Sequence, residues 1–184
     1  MAKAKKILIV VDVQNDFITD ALRNEDAIKT LPNIVEFVKN EEFDETYVTM
    51  DTHGKNYAET LEGRKLPVPH CIKNTNGWKM PIAMTDALKC QNVVKVFEKD
   101  TFCSRELANF IRAEADMMYE EYKDCEFTIV GFCSDICVIS NALNIRACFP
   151  NNKISVPKNC TAGVTKESNE YALLTMTMCQ IDVV

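Results

Sequence analysis

The stretch KILIVVDV, Lys6–Val13, decides the fold of this chain. It is a continuous apolar run bounded by polar residues, which is typical of a strand buried on both faces of a parallel sheet. Five later segments also predict strands. They are ETYVTM (Glu45–Met50), VVKVFE (Val93–Glu98), EFTIVGF (Glu126–Phe132) and two short runs near the end, Lys153–Val156 and Ile181–Val184.

Segments with helical spacing lie between most of these strands. They are Asn24–Lys39, where we expect Pro32 near the helix start, Ser104–Tyr122 with Ser104 as N-cap, Asp135–Ala147 and Lys166–Cys179. Alternating strands and helices predict an α/β fold, a doubly wound, mainly parallel sheet with helices on both faces. Because the chain has 184 residues, we expect residues 1–184 to form a single domain.

The composition excludes several classes of protein. Hydrophobic residues make up 47% and charged residues 26%, with a net charge of −6 and a pI near 5.0, so no nucleic-acid partner is expected. The apolar run after the basic start MAKAKK is too short for a signal peptide or a membrane span. The nine cysteines are odd in number and scattered, which favours reduced thiols in the cytoplasm.

Chemically useful residues follow the predicted strands. Asp12 ends the first run, Asp51 and His53 follow the second, Lys99 follows the third, and the segment 133–137 follows the fourth. Ligands of open α/β sheets bind at the carboxyl ends of the strands, so these side chains are expected to meet in one pocket. Each residue alone is a weak signal, and the joint pattern carries the prediction.

Three motifs resemble those of the isochorismatase-like cysteine hydrolases, a family that includes nicotinamidases. They are DVQNDF (Asp12–Phe17), EKDTF (Glu98–Phe102) and GFCSDICV (Gly131–Val138), in the family's order and over nearly the whole chain. The resemblance implies that Asp12, Lys99 and Cys137 are catalytic and that the backbone N–H groups of Cys133 and Cys137 form an oxyanion hole. It also implies a cis peptide at Phe132–Cys133 and a pocket wall at Phe17.

The chemistry of a thiol nucleophile fits these residue types. A free thiol has a pKa of about 8.5 and is mostly protonated at neutral pH, whereas the thiolate is the nucleophile. We expect Lys99 and the start of the following helix to favour the thiolate of Cys137. Asp12 is expected to accept the thiol proton and to deliver it to a departing amine.

The long connection at about 51–92 predicts a metal site. It holds both histidines of the chain, and connections of this length are usually functional. D-x-H alone is a weak pattern, but this stretch also resembles the nicotinamidases, which implies Asp51, His53 and His70 as ligands. We prefer Glu62 to Glu59 as the fourth. Such ligands suit zinc, and also manganese or iron.

The leading hypothesis is a metal-assisted cysteine amidohydrolase that converts nicotinamide to nicotinate and ammonia, a step of NAD salvage. Pro67 departs from the family, because many nicotinamidases have an aromatic pocket wall at that position; Trp78 or Tyr57 could replace it. An amidase for another small amide or carbamoyl compound, and a non-catalytic, thiol-responsive binding protein of the same fold, stay open. Small α/β hydrolases often associate, so we expect a homo-oligomer.

Overall fold

The computed structural model describes residues 4–184, so Met1–Lys3 at the basic start lie outside the described residues. Its centre is a seven-stranded parallel sheet in the order β3-β2-β1-β4-β5-β7, with β6 paired to β4. The strands are β1 Lys6–Val11, β2 Glu45–Asp51, β3 Val93–Lys99, β4 Glu126–Phe132, β5 Lys153–Val156, β6 Thr161–Ala162 and β7 Asp182–Val183.

Helices cover both faces of the sheet, which confirms the doubly wound fold. They are α1 Glu25–Asn40, α2 Leu61–Lys65, α3 Ile82–Leu88, α4 Arg105–Met117, α5 Tyr119–Tyr122, α6 Ile139–Cys148 and α7 Lys166–Met178. Alternate residues of β1 point to opposite faces. Ile7 and Ile9 pack in the core under α4, α6 and α7, whereas Leu8 and Val10 pack in the core under α1 and α3.

One proline prediction was wrong. Pro32 lies in the middle of α1 rather than near its start, because the helix begins after Asn24, whose side chain accepts hydrogen bonds from the N–H groups of Asp26 and Ala27. Pro32 is exposed and removes one backbone hydrogen bond, and the long amphipathic helix tolerates that loss because its other face is buried.

Two helix boundaries also differ from the prediction, and one short strand was not predicted. The helix expected over Ser104–Tyr122 is divided at Met118 into α4 and α5, although Ser104 does cap its start. The helix expected from Asp135 begins as a π-helical turn, Ser134–Val138, and becomes α6 only at Ile139. The two-residue strand β6 was not predicted, since it is too short to show alternation.

A partly buried polar network joins the start of β2 to α5. The carboxylate of Glu45 accepts hydrogen bonds from the hydroxyl groups of Tyr47 at 2.8 Å and Tyr122 at 2.7 Å, and the ammonium of Lys5 lies 2.6 Å away. Burial opposes ionisation, but these three donors outweigh it and lower the pKa of Glu45. The ionised carboxylate is therefore part of the folded state.

The connection between β2 and β3 is ordered by short elements. It contains a 3₁₀ turn at Tyr57–Glu59, the helices α2 and α3, and a single parallel bridge between His53 and Ile72. The bridge places the two histidine-bearing parts of the connection side by side. None of the helices in residues 4–184 has the length and apolar character that crossing a membrane requires.

Candidate active site

The strand ends bring Asp12, Lys99 and Cys137 together. Lys99 is the last residue of β3, Asp12 follows β1, and Cys137 lies in the π-helical turn after β4. The Lys99 Nζ atom is 2.6 Å from Asp12 Oδ2 and 3.7 Å from Cys137 Sγ. All three residues are at least nine-tenths buried, and Thr49 donates a hydrogen bond of 2.7 Å to Asp12 Oδ1.

Burial dominates the protonation of this cluster. Burial raises the pKa of Cys137 well above its ordinary value, the charge of Asp12 adds to that rise, and Lys99 offsets only part of it. The resting side chain is therefore a thiol, although Lys99 favours the thiolate as expected. Burial also raises the pKa of Asp12, although Lys99 opposes that shift, and this makes the carboxylate a better proton acceptor.

The turn that carries Cys137 follows directly from β4. The Phe132–Cys133 peptide is cis, as the family resemblance implies, and the carbonyl of Cys133 accepts hydrogen bonds from the N–H groups of Ile136 and Val138. Cys133 and Cys137 both line the same cavity. Gly131, with φ of 126°, precedes the turn; an added Cβ would lie 2.0 Å from the Val11 carbonyl oxygen, so only glycine fits there.

A second cluster contains Asp51, His53 and His70. One potential ligand atom from each lies within 4.8 Å of the others, and Asp51 Oδ2 is 3.0 Å from His53 Nε2 and 3.4 Å from His70 Nε2. Glu62 completes the ring at 3.8 Å from His53 Nε2 and 3.5 Å from His70 Nε2. No comparable contact of the Glu59 carboxylate occurs in residues 4–184, which favours Glu62.

The donor set fits a divalent metal ion. His53 Nε2 is buried without a hydrogen-bond partner in the described chain and faces the carboxylate of Asp51. His70 Nδ1 lies 3.0 Å from the Val68 carbonyl oxygen, so this contact directs the other ring nitrogen into the cluster. Burial opposes a positive charge on His70, but Asp51 and Glu62 outweigh it and raise its pKa to about 10. The cluster therefore favours a cation.

Two residues of the first motif support this cluster, and sequence reasoning missed both. The side chain of Gln14 donates to the carbonyl groups of Asp51 and Trp78, at 2.8 Å each, and accepts from the Asp51 N–H at 2.7 Å. Asp16 accepts a hydrogen bond from the N–H of Cys71, the neighbour of His70. Their position inside DVQNDF was the signal that could have identified them.

Aromatic rings surround the imidazoles. Phe17 lines the cavity and meets His70 edge to face, with centroids 5.7 Å apart. Tyr57 packs on His53 at 4.8 Å and on His70 at 5.1 Å, and its hydroxyl donates to the Leu66 carbonyl. Trp78 donates from its indole to Thr52 and is not part of the cavity lining. Tyr57 and Trp78 therefore support the ligands rather than form the wall.

Both clusters open into one cavity of about 1170 Å³. Cys137 and Cys133 line one part of it, and Asp51, His53, Glu62 and His70 line another. Its rim is exposed and mixed in character: the apolar side chains of Leu61, Leu66, Phe102 and Val164 are 67%, 38%, 51% and 57% exposed, and exposed charged residues such as Lys65 and Asp100 also line it. Pro67 is exposed and does not line the cavity, so the aromatic wall of many relatives has no counterpart at that position.

Comparisons with known proteins bear on the family and the fold of the chain. A family model of the isochorismatase domain matches residues 6–184. The nicotinamidase of Saccharomyces cerevisiae is 26% identical, with 76% of this chain and 80% of that protein covered. The crystal structure of the nicotinamidase/pyrazinamidase of Bacillus subtilis is 25% identical, covers 98% of this chain and 99% of its own, and has a TM-score of 0.78. The pyrazinamidase of Pyrococcus horikoshii in complex with zinc is 23% identical, covers 98% of each chain and has a TM-score of 0.70.

Proposed function

Because this chain belongs to the isochorismatase family, we propose that it is an amide hydrolase that converts nicotinamide and water to nicotinate and ammonia. The observation that carries the proposal is the contact of Cys137 with the Lys99–Asp12 ion pair, in the same cavity as the Asp51, His53 and His70 cluster. A thiol, a carboxylate base and a separate cation site suit a small amide with a second polar atom.

The first half of the reaction forms a thioester. The sulfur of Cys137 attacks the carboxamide carbon while its proton passes to Asp12. The developing oxyanion accepts hydrogen bonds from the backbone N–H groups of Cys133 and Cys137, which stabilise negative charge in a water-poor cavity. When the tetrahedral intermediate collapses, its C–N bond breaks and the proton on Asp12 leaves with the nitrogen as ammonia.

The second half releases the acid. Asp12 accepts a proton from water as the water oxygen attacks the thioester carbon, and the C–S bond then breaks. The sulfur regains a proton from Asp12, so the enzyme returns to its starting state. The acid that departs still carries the second proton of the water, which it loses to solvent to give nicotinate. Lys99 is charged in the resting enzyme, because the carboxylates of Asp12 and Asp51 raise its pKa in spite of burial.

Asp51, His53, His70 and Glu62 would hold the metal, with zinc as the preferred ion. When bound, a divalent metal supplies a Lewis-acid contact for a ring nitrogen of the substrate and so orients the amide toward the thiol. The zinc complex of the P. horikoshii pyrazinamidase supports this choice. Phe17, packed on His70, would then face the substrate ring.

The same activity suggests the setting of the protein. Nicotinate production would serve NAD salvage, which recycles released nicotinamide. The nine unpaired cysteines suit a reducing cytoplasm, and a homo-oligomer is the form we expect.

A second candidate substrate is a larger aromatic carboxamide. Nicotinamide has a single six-membered ring, whereas the cavity of about 1170 Å³ exceeds the range typical of pockets for drug-sized ligands. The exposed rim and the absence of an aromatic side chain at Pro67 favour this candidate over a closely fitted nicotinamide site.

The direct test measures ammonia release from nicotinamide by the wild-type protein, before and after metal removal and after addition of zinc. We expect release that a chelator abolishes and zinc restores. Cys137→Ala should abolish it without changing the unfolding curve, whereas Cys160→Ala, which removes a buried thiol outside the cavity lining, should retain it. Release by the Cys137→Ala variant would reject the nucleophile. No release by zinc-loaded wild type, with activity on larger carboxamides, would favour the second candidate.

A further inference from the structure

Asn141 connects two segments of the candidate active site. It lies on α6 and is 1% exposed. Its side-chain nitrogen donates to the Cys137 carbonyl at 2.8 Å and to the Phe102 carbonyl at 3.3 Å. Its side-chain oxygen accepts from the N–H of Ser104 at 3.0 Å. One carboxamide therefore satisfies three backbone groups.

These backbone groups belong to the two segments that carry the Lys99–Cys137 contact. Phe102 and Ser104 lie in the short connection between β3, which ends at Lys99, and α4. Cys137 lies in the π-helical turn that leads into α6. The 3.7 Å separation of Lys99 Nζ and Cys137 Sγ thus spans the same junction that Asn141 bridges.

We infer that Asn141 is a positioning residue: it fixes the Cys137 turn against the Lys99 segment and holds Phe102 at the rim of the cavity. The inference rests on the proposed nucleophilic role of Cys137. A misplacement of about 1 Å can slow an enzymatic step by about 100-fold. Loss of the Asn141 hydrogen bonds at this junction should therefore lower the reactivity of Cys137 as well as the stability of the fold.

The three contacts require both a donor and an acceptor at one position. A carboxamide offers two N–H donors and a carbonyl acceptor, whereas an aspartate offers acceptors only and would repel the two carbonyl groups. A threonine hydroxyl can donate to the carbonyl four residues earlier in a helix, which here is Cys137, but it is too short to bridge to the other segment as well. Asn141→Thr therefore separates the bond within the helical segment from the bridge.

Asn144 provides the matched control. It lies one turn later on the same helix, is also an asparagine, and donates only one long hydrogen bond, of 3.4 Å, to the Ser104 carbonyl. Asn144→Ala removes an amide from α6 near the same connection without touching the Cys137 turn.

The experiment compares Asn141→Thr, Asn141→Ala and Asn144→Ala with wild type by three measurements. The first is the rate at which iodoacetamide alkylates Cys137, which peptide mass spectrometry monitors. The second is kcat and KM for nicotinamide, determined separately, and the third is the unfolding midpoint in urea. We expect both Asn141 variants to lose about tenfold or more in alkylation rate and in kcat while folded, with a smaller rise in KM. The Asn144→Ala variant should keep its alkylation rate, kcat and KM within twofold of wild type, and its unfolding midpoint should stay close to that of wild type.

Several results would overturn the inference. Wild-type alkylation and kcat in folded Asn141→Thr would do so, as would equal losses in Asn144→Ala. If neither Asn141 variant folds while Asn144→Ala does, the side chain serves stability alone and the inference fails. Slower alkylation in the Asn141 variants, together with a wild-type protein that releases no ammonia from nicotinamide, would uphold the positioning role and reject only the substrate.

Discussion

Replacement of Gln14 by methionine tests how the first motif supports the metal site. Methionine matches the unbranched shape of glutamine but has no comparable hydrogen-bonding group, so the change removes polar contacts without opening a large cavity. It leaves three buried backbone groups without their partner: the N–H and carbonyl of Asp51 and the carbonyl of Trp78.

The expected cost has two parts. Each lost hydrogen bond contributes about 0.5–1.5 kcal/mol, so the unfolding free energy should fall by about 1.5–4.5 kcal/mol. Asp51 is also a proposed ligand, and Gln14 holds its peptide groups on both sides. Loss of a residue that orients a ligand typically weakens metal binding by about 10–100-fold, and we expect zinc affinity to fall within that range.

Urea unfolding in the presence of a chelator measures the loss of unfolding free energy, because the chelator removes any contribution of bound metal. Competition with a chromogenic chelator measures the zinc dissociation constant. The control is Gln91→Met, since Gln91 also donates to two backbone carbonyl groups, those of Val38 and Glu41, outside the cavity lining. The control should lose stability but keep its zinc affinity. A zinc affinity in Gln14→Met within twofold of wild type would refute this reasoning.

Three further predictions concern single residues. Asp12→Asn should lower kcat for ammonia release by about 100- to 10,000-fold. It should also destabilise the fold by about 3–5 kcal/mol, because the buried ammonium of Lys99 loses its partner at 2.6 Å and is left with Asp51 at 3.7 Å; a kcat within tenfold of wild type would contradict the prediction. Pro32→Ala should raise the free energy of unfolding in urea by about 1–2 kcal/mol. Position 32 is exposed, and alanine restores a backbone N–H that can donate to the Ile28 carbonyl inside α1. A loss of stability would count against this account of α1. The pKa of Glu45 is lowered in the fold, so its carboxylate stabilises the protein at pH values above its ordinary pKa of 4.5, and this stabilisation is lost as the pH falls through the folded pKa. Glu45→Gln should therefore have a lower free energy of unfolding than wild type at pH 7, and the difference should narrow below pH 4.5. A difference that stays constant with pH would exclude this role.

Much of the site could be predicted because parallel strands share one edge. Asp12, Asp51 and Lys99 follow or end apolar runs, and the carboxyl ends of β1, β2 and β3 lie side by side in the sheet. The long connection was recognisable from its length and its two histidines. Short elements were not, because β6 and the π-helical turn span too few residues for a periodic pattern.

The supporting amides could not be found from the pattern of the sequence. Gln14 and Asn141 bind backbone groups that lie 37 and 39 residues away, at Asp51 and Phe102. Every residue has a peptide group, so such contacts leave no complementary side chain in the sequence. Isolated glutamine and asparagine are ordinary surface or turn residues until the fold shows that they are buried.

The protonation of Cys137 follows from burial, which a sequence does not report, and it makes a proton acceptor essential to the proposed reaction. From the sequence, Lys99 is expected to favour the thiolate of Cys137, and its charge does lower the pKa of the thiol, but burial outweighs it. In the folded chain burial keeps the thiol protonated, so the proton must leave as the sulfur attacks, and Asp12, which lies 2.6 Å from the Lys99 ammonium, is the proposed acceptor. Lys99 then also acts on the base, because its charge opposes the rise that burial causes in the pKa of Asp12. On this argument, the reactivity of Cys137 depends on the distance between the turn after β4 and the end of β3, two strands that β1 and β2 separate in the sheet. Neutral residues that fix these two segments therefore matter as well as the charged ones.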